Sequence, residues 1–158
     1  MAGQVPRLGW LTAIRRYLVV VALGNLAWEA AQLPLYTLWR TEPSPAIARA
    51  VLHCTAGDVV IAMVALIIAL AAVGNSQWPD ERQVTVAVAV LVIGVTYTIG
   101  SEYVNVVVRR SWSYTEWMPI LPWTGTGLAP LAQWVVVPAC ALLSMRRWSL
   151  IGRSEHHA

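Results

Sequence analysis

The chain has 158 residues, 58% of them hydrophobic and 12% charged, with a mean hydropathy of +0.58, whereas a water-soluble domain carries roughly 25% charged residues. That balance excludes an ordinary soluble domain and assigns the chain to a membrane. The net charge of +3 comes from arginines clustered at the ends of apolar runs, where membrane topology places them, which excludes nucleic-acid binding.

Four apolar runs reach the roughly 20 residues needed to cross a bilayer: residues 17–39, 51–73, 84–108 and 127–145. The expected fold is an all-α integral membrane protein, a bundle of four transmembrane helices with a long aromatic-rich third loop. One domain spans 17–145, preceded by an N-terminal segment 1–16 and followed by a polar tail 146–158. The first run follows Arg7, Arg15 and Arg16 and so mimics a signal peptide. It is too long for one, carries Glu29 and lacks a small-x-small cleavage site, so a retained helix is expected. Within it, Pro34 removes the bond to the carbonyl of Ala30, predicting a kink beside Glu29.

The first link carries Pro43 and Pro45, and the second Gly74-Asn75 and Trp78-Pro79; both predict antiparallel neighbours. The third, residues 109–126, mixes Trp112, Tyr114, Trp117 and Trp123 with polar residues, while Pro119 and Pro122 prevent a regular helix. It is expected to lie in the membrane interface as an aromatic roof. Trp39, Trp78 and Trp148 fall where an interfacial aromatic belt would put them. The end of the chain, 152–158, is expected to be disordered, with His156 and His157 reflecting tail composition rather than a metal site. Cys54 and Cys140 lie inside apolar segments, which excludes a disulfide framework, a CxxC motif and a cysteine-rich zinc site.

Arginine placement sets the orientation. Arg7, Arg15, Arg16, Arg82, Arg146, Arg147 and Arg153 fall on the side of the termini, against Arg40, Arg49, Arg109 and Arg110 on the other. The excess predicts both termini in the cytoplasm of a bacterial inner membrane.

Ionisable groups inside spans each cost several kcal/mol unless paired, hydrated or neutralised, so they carry the functional argument. At about 100° per residue, Asn25, Glu29, Gln32 and Tyr36 share a narrow arc of the first helix. Thr98, Glu102, Asn105 and Arg109 repeat the same offsets on the third, as a duplicated two-helix unit would. The second helix adds His53 and Asp58 near its start, and the fourth adds Gln133 and Trp134. Helices one and three carry their polar groups late, two and four early, so all converge on one leaflet, the periplasmic one by the arginine distribution. With the first helix running to Trp39, Glu29 lies on the order of 15 Å from its end.

These residues predict a cavity open to one side. Glu29 and Asp58 are the candidate acids, with His53 and Glu102 as base or orienters. Gln32, Tyr36, Asn105 and Gln133 form a hydrogen-bonding shell, and Trp112, Tyr114 and Trp134 an aromatic wall. Each has a bland alternative: the amides as interhelical glue, Glu102 as the ion-pair partner of Arg109 or Arg110, His53 as an interfacial side chain, and the loop aromatics as interface anchors.

Three carboxyls and one imidazole in a low-dielectric cavity cannot all stay charged and unbalanced, so either a carboxyl keeps its proton or a cation is present. The first branch leads to an intramembrane enzyme that protonates an alkene, epoxide or ester of a lipid, with aromatic faces stabilising a developing cation. Isoprenoid isomerisation or cyclisation fits that chemistry. The second leads to cation or metal handling by Glu29, His53, Asp58 and Glu102, although no HExxH or paired-His spacing supports it. A third alternative is an accessory subunit or lipid-binding protein without chemistry. A transport path is disfavoured because residues 59–73 and 84–95 offer only Thr85 to a moving ion. The partners expected are the bilayer and a lipid-like small molecule. A homo-oligomer stays open, because Gly24, Ala27, Ala30 and Ala31 permit close packing within the bundle or between copies.

Trp28-Glu29 with Gln32-Leu33-Pro34-Leu35-Tyr36, His53-Cys54 with Gly57-Asp58, Ser101-Glu102 and the Trp112–Pro119 stretch together resemble small multi-pass proteins of bacterial inner membranes. No activity is established for that group, so the resemblance implies an architecture and no substrate or cofactor.

Overall fold

The computed structural model describes residues 9–154, and side chains through residue 145. Among them the chain is helical, and its only extended pairing is two isolated bridges. Helix α1 spans Trp10–Gln32, a single turn α2 spans Leu38–Thr41, and α3, α4 and α5 span Ser44–Val73, Gln83–Glu102 and Leu128–Ser154. Four helical stretches are long and apolar enough to cross a membrane: Trp10–Leu35, Ser44–Val73, Gln83–Val108 and Leu128–Met145. The helices form a closed ring in which α1 and α4 each pack against both α3 and α5.

Their outward faces keep large apolar side chains exposed, among them Leu11, Leu23, Ile67, Val92 and Leu143. Helices apolar on both inner and outer faces suit a lipid surround, because in water such a girdle would be a continuous sticky surface.

Several boundaries differ from the sequence expectation. Helix α1 starts at Trp10, well before residue 17, because Gly9 accepts the first helical bond from Ala13 and nothing in Leu11 to Arg16 opposes a helix. At its other end Pro34 stops the α-helix instead of kinking it. The α-turns end at Gln32, and Leu33–Leu35 form a 3-10 turn with the proline near its start, where a missing N–H costs nothing. Glu29 therefore lies about one turn, ~5 Å, from the α-helical end, far less than the distance expected of a helix running to Trp39. Helix α3 begins at Ser44 with Pro45 in its first turn, the position that tolerates proline. Helix α5 runs on to Ser154, through residues expected to form the tail; His156 and His157 lie outside the described residues, as does the side chain of Trp148.

At one end of the ring the core is apolar and closed. Tyr17, Val21, Ala62, Leu66, Val86, Val90, Ala141 and Leu142 are nearly inaccessible, and Tyr17 donates its hydroxyl to the Ala62 carbonyl at 3.4 Å. Trp78, expected in an interfacial belt, is instead 1% exposed and packs edge-on against Trp10 with ring centroids 5.8 Å apart. The turn between α3 and α4 folds it inward, held by Asn75 Nδ2 donating to Glu81 Oε2 at 2.8 Å. Trp39 does stay exposed.

Glycines set the helix spacing toward the other end. A Cβ on Gly24 would press on Val137 of α5, and one on Gly94 would occupy the place of the Trp134 ring. The small residue Gly24 thus serves contact within the bundle.

Candidate functional site

Antiparallel alternation brings the end of α1, the early part of α3, the end of α4 and the start of α5 to the same end of the ring. There the helices stand apart around a cavity of about 240 Å³. Its wall includes Glu29, Gln32, Tyr36, His53, Asp58, Glu102, Trp112, Gln133 and Trp134, nine of the residues singled out from sequence, along with apolar groups such as Leu33, Val51 and Ile61.

The cavity is organised around the amide of Gln133, which is 2% exposed. Its Nε2 lies 3.1 Å from Asn25 Oδ1, 3.1 Å from Glu29 Oε1 and 3.0 Å from Asp58 Oδ2. Gln32 Nε2 donates to the same Glu29 oxygen at 2.9 Å and to Gln133 Oε1 at 3.2 Å. Two helices, α1 and α3, are thereby tied to one side chain of α5. Gln133 has two N–H groups for three acceptors, so the cluster has more acceptors than donors. The carboxyls of Glu29 and Asp58 thus meet at one amide nitrogen, Gln133 Nε2.

Glu102 sits apart from this hub. The Tyr114 hydroxyl donates to Glu102 Oε2 and accepts the Gly127 N–H at 3.0 Å. Burial first, and the Glu102 carboxyl second, push the Tyr114 phenol far above its ordinary range, so it remains a donor at any physiological pH. The Trp112 indole is oriented toward Glu102 without hydrogen-bond geometry, and its Nε1 is buried with no protein acceptor. Gln32 Oε1 is likewise buried without a donor.

The third loop contributes Trp112 to the cavity wall, and its attachment is a main-chain one that the aromatic pattern did not reveal. Thr115 N donates to Leu35 O at 2.9 Å and Thr37 N to Ser113 O at 3.0 Å, pairing Tyr36 with Tyr114 in an antiparallel bridge. The two rings meet edge-on at 5.5 Å. Pro34 contributes a carbonyl to this joint by accepting Thr115 Oγ1 at 3.1 Å. Outside the roof, Arg40 forms a forked ion pair with Glu116 at 3.1 and 2.8 Å and lies over the Trp117 ring. The tight turn of α1 into α2 creates the edge to which the loop pairs.

Several expectations are corrected here. Asn105 does not line the cavity; its amide turns back to Ser101 O at 2.9 Å and Ser101 Oγ at 3.2 Å. From Tyr103 to Val108 the helix widens to π geometry, seen in the bond from Arg109 N to Val104 O. Each residue then advances by less than the 100° that made Thr98, Glu102, Asn105 and Arg109 look like one stripe. The likeness between the first and third helices therefore ends at Glu102. An ion pair of Glu102 with Arg109 or Arg110 does not form either, since Tyr114 takes that carboxyl and both arginines are exposed. Tyr114 itself lies behind Glu102 rather than in the wall.

His53 is in the wall but exposed, and with Gly57 on α3 and Tyr97 on α4 it marks the mouth at the seam between those two helices. A Cβ on Gly57 would meet nothing within 4 Å, so this glycine widens the opening. Cys54, Tyr97, Thr98 and Ser101 also line the cavity and were not anticipated. Thr98 was already on the polar arc, whereas Cys54 and Tyr97 carry no signal that separates them from core or lipid-facing positions. Asn25 was on the arc but not assigned to the site, and it proves to be a partner of Gln133. Among the described residues, no three His, Cys, Asp or Glu side chains gather in a way that would hold a metal ion.

No protein-family model, curated protein or solved structure matches the chain.

Proposed function

We propose that the chain is a multi-pass protein of a bacterial inner membrane, with cytoplasmic termini, whose cavity binds a lipid-like molecule and acts on it by acid-base chemistry. The observation that carries this reading is the Glu29–Asp58 pair. Two carboxyls from different helices share one amide donor in a cavity whose remaining wall is largely apolar and aromatic. A proton held between them supplies an acid directed into an apolar space, where an alkene or ester has no competing water. The remaining carboxyl accepts the proton returned. Glu102, held by Tyr114, faces the same space as a second base, and the rings of Tyr36, Trp112 and Trp134 offer π faces to positive charge developing on the substrate. The mouth between α3 and α4 faces sideways out of the bundle, so an amphiphile dissolved in the bilayer enters without crossing water. Isoprenoid isomerisation or cyclisation remains the reaction class that best fits these groups.

The opposite end of the bundle favours this reading over transport. From Tyr17 to Leu142 the packed core offers no chain of polar side chains among the described residues along which an ion would move.

Native mass spectrometry of the protein released in mild detergent tests the proposal. The expected spectrum holds an isoprenoid or other lipid mass at one per chain, with retention lost in Glu29→Gln and Asp58→Asn while both variants stay folded. A folded native chain that retains no lipid from membranes, or variants that retain it as well as the native chain does, would remove the cavity as the working site.

A further inference from the structure

The cavity is short of positive charge. Three of the chain's eight acidic residues line it, while among the described residues no arginine does, and the one imidazole in the wall is that of His53 at the mouth. Gln133 offers two N–H groups to the oxygens of Asn25, Glu29 and Asp58. Gln32, only 6% exposed and part of the wall, keeps its Oε1 without a donor. That oxygen is an observation independent of the acidic cluster: it is a buried acceptor on a cavity-lining side chain that no protein group satisfies, and leaving an acceptor so placed costs free energy. Tyr36, Tyr97, Trp112 and Trp134 complete the wall with aromatic rings.

Each feature selects the same kind of guest. An anionic headgroup such as a phosphate or carboxylate would meet three acids and no arginine. A neutral alcohol supplies one donor and leaves the charge uncompensated. A protonated amine supplies donor hydrogens to Gln32 Oε1 and to the carboxyls, balances their charge, and presents a cation to aromatic faces. The apolar part of the wall and the sideways mouth require the rest of the guest to be hydrocarbon.

We infer that the cavity recognises a lipophilic amine: a single protonated nitrogen seated among Glu29, Gln32 and Asp58, carried on an apolar body that leaves through the seam between α3 and α4. This rests on the reading of the cavity as a lipid-binding site and sharpens its ligand class. Binding needs no covalent step, and such an amine would also compete with any substrate that becomes cationic as it reacts.

The test compares three probes of equal chain length, dodecylamine, dodecanol and dodecanoate, added at neutral pH to the purified full-length chain in lipid nanodiscs. Binding is read by the rise in melting temperature and by native mass spectrometry. The amine is expected to bind one per chain and to raise the melting temperature, with dodecanol at least on the order of tenfold weaker and dodecanoate weaker still. Glu29→Gln, Asp58→Asn and Gln32→Leu should each weaken the amine on the order of tenfold and leave dodecanol nearly unchanged. If dodecanol binds as tightly as the amine, the inference fails while the lipid-binding reading stands. If the folded native chain takes up none of the probes, both fail. Should a variant lose its helical content, the ratio of amine to alcohol affinity in the native chain decides the matter alone.

Discussion

The two ends of the four-helix ring are built from the same helices and solve opposite problems. At one end Tyr17, Val21, Leu66, Val86, Val90 and Leu142 fill the space between helices, and α1, α3, α4 and α5 meet through hydrocarbon contact. At the other end the same helices stand around a cavity of about 240 Å³ and are joined by the amides of Gln32 and Gln133 and the carboxyls of Glu29 and Asp58. In a bilayer, hydrocarbon packing gains nothing from escaping water, so the closed end rests on close fit, and the open end on hydrogen bonds that have few competitors. The lesson is a division of labour: one end sets the stability of the bundle and the other, on the reading proposed above, what it binds.

The largest effects should separate the two ends. Leu66→Ala at the closed end is expected to cost about 2–4 kcal/mol of stability, because the vacated volume is enclosed on all sides. Its ligand retention, once the protein is held below its melting temperature, should match the native chain. Glu29→Gln should do the reverse, losing ligand at little cost to unfolding, since glutamine keeps the acceptor that Gln32 and Gln133 use. Chemical denaturation in detergent together with ligand retention by mass spectrometry measures both; a Leu66→Ala chain that stays folded yet loses ligand would show that the ends are not separable.

A smaller effect is expected where the two ends join. The Trp134 ring stands where a side chain on Gly94 would begin, so Gly94→Ala must push α5 from α4 or rotate the indole out of the cavity wall. Overpacking of this kind costs about 1–3 kcal/mol. Because Trp134 also lines the cavity, the substitution should lower ligand affinity and stability together, measured as a joint fall in retention and melting temperature. A fall in stability alone would confine Trp134 to packing.

The smallest concerns the roof. The Arg40 hydrogen bond holds the Glu116 carboxyl below its ordinary range, so this pair contributes fully above the usual glutamate value of roughly 4 and is lost as pH falls through the lowered value. Both side chains are exposed, and the contribution is small. The difference in melting temperature between the native chain and Glu116→Gln should therefore stay constant from neutral pH down to the ordinary glutamate value, shrink progressively below it, and close once the pH is below the lowered value. A difference that closes near neutrality would mean that Glu116 does not act through Arg40.

The spans, their antiparallel order and the gathering of Glu29, Asp58, Glu102 and Gln133 at one end were legible in the chain, because hydropathy and the helical period both act locally. The polar arc of the first helix held through Gln32 for the same reason. Its counterpart on the third failed after Glu102, where a π segment changed the residues per turn, and no local composition marks that change among Tyr103, Val104 and Val106. Trp78 was misplaced because an interfacial tryptophan and a tryptophan folded under a turn have the same flanking sequence. Pro34 announced a disruption, and whether it would kink or end the helix depended on what its neighbours would pair with.

The sequence by itself determined that this chain forms four membrane-length helices with their ionisable groups at a common level, since burying apolar length and sparing charge are properties of each segment alone. The packing of the helices made Gln133 the hub, paired Leu35 and Thr37 with Ser113 and Thr115, and left Gln32, in the cavity wall, with a bare buried acceptor. Those outcomes depend on which helices become neighbours and at what distance, and side chains such as Asn25 and Gln133, 108 residues apart, acquire their partners only when the ring closes.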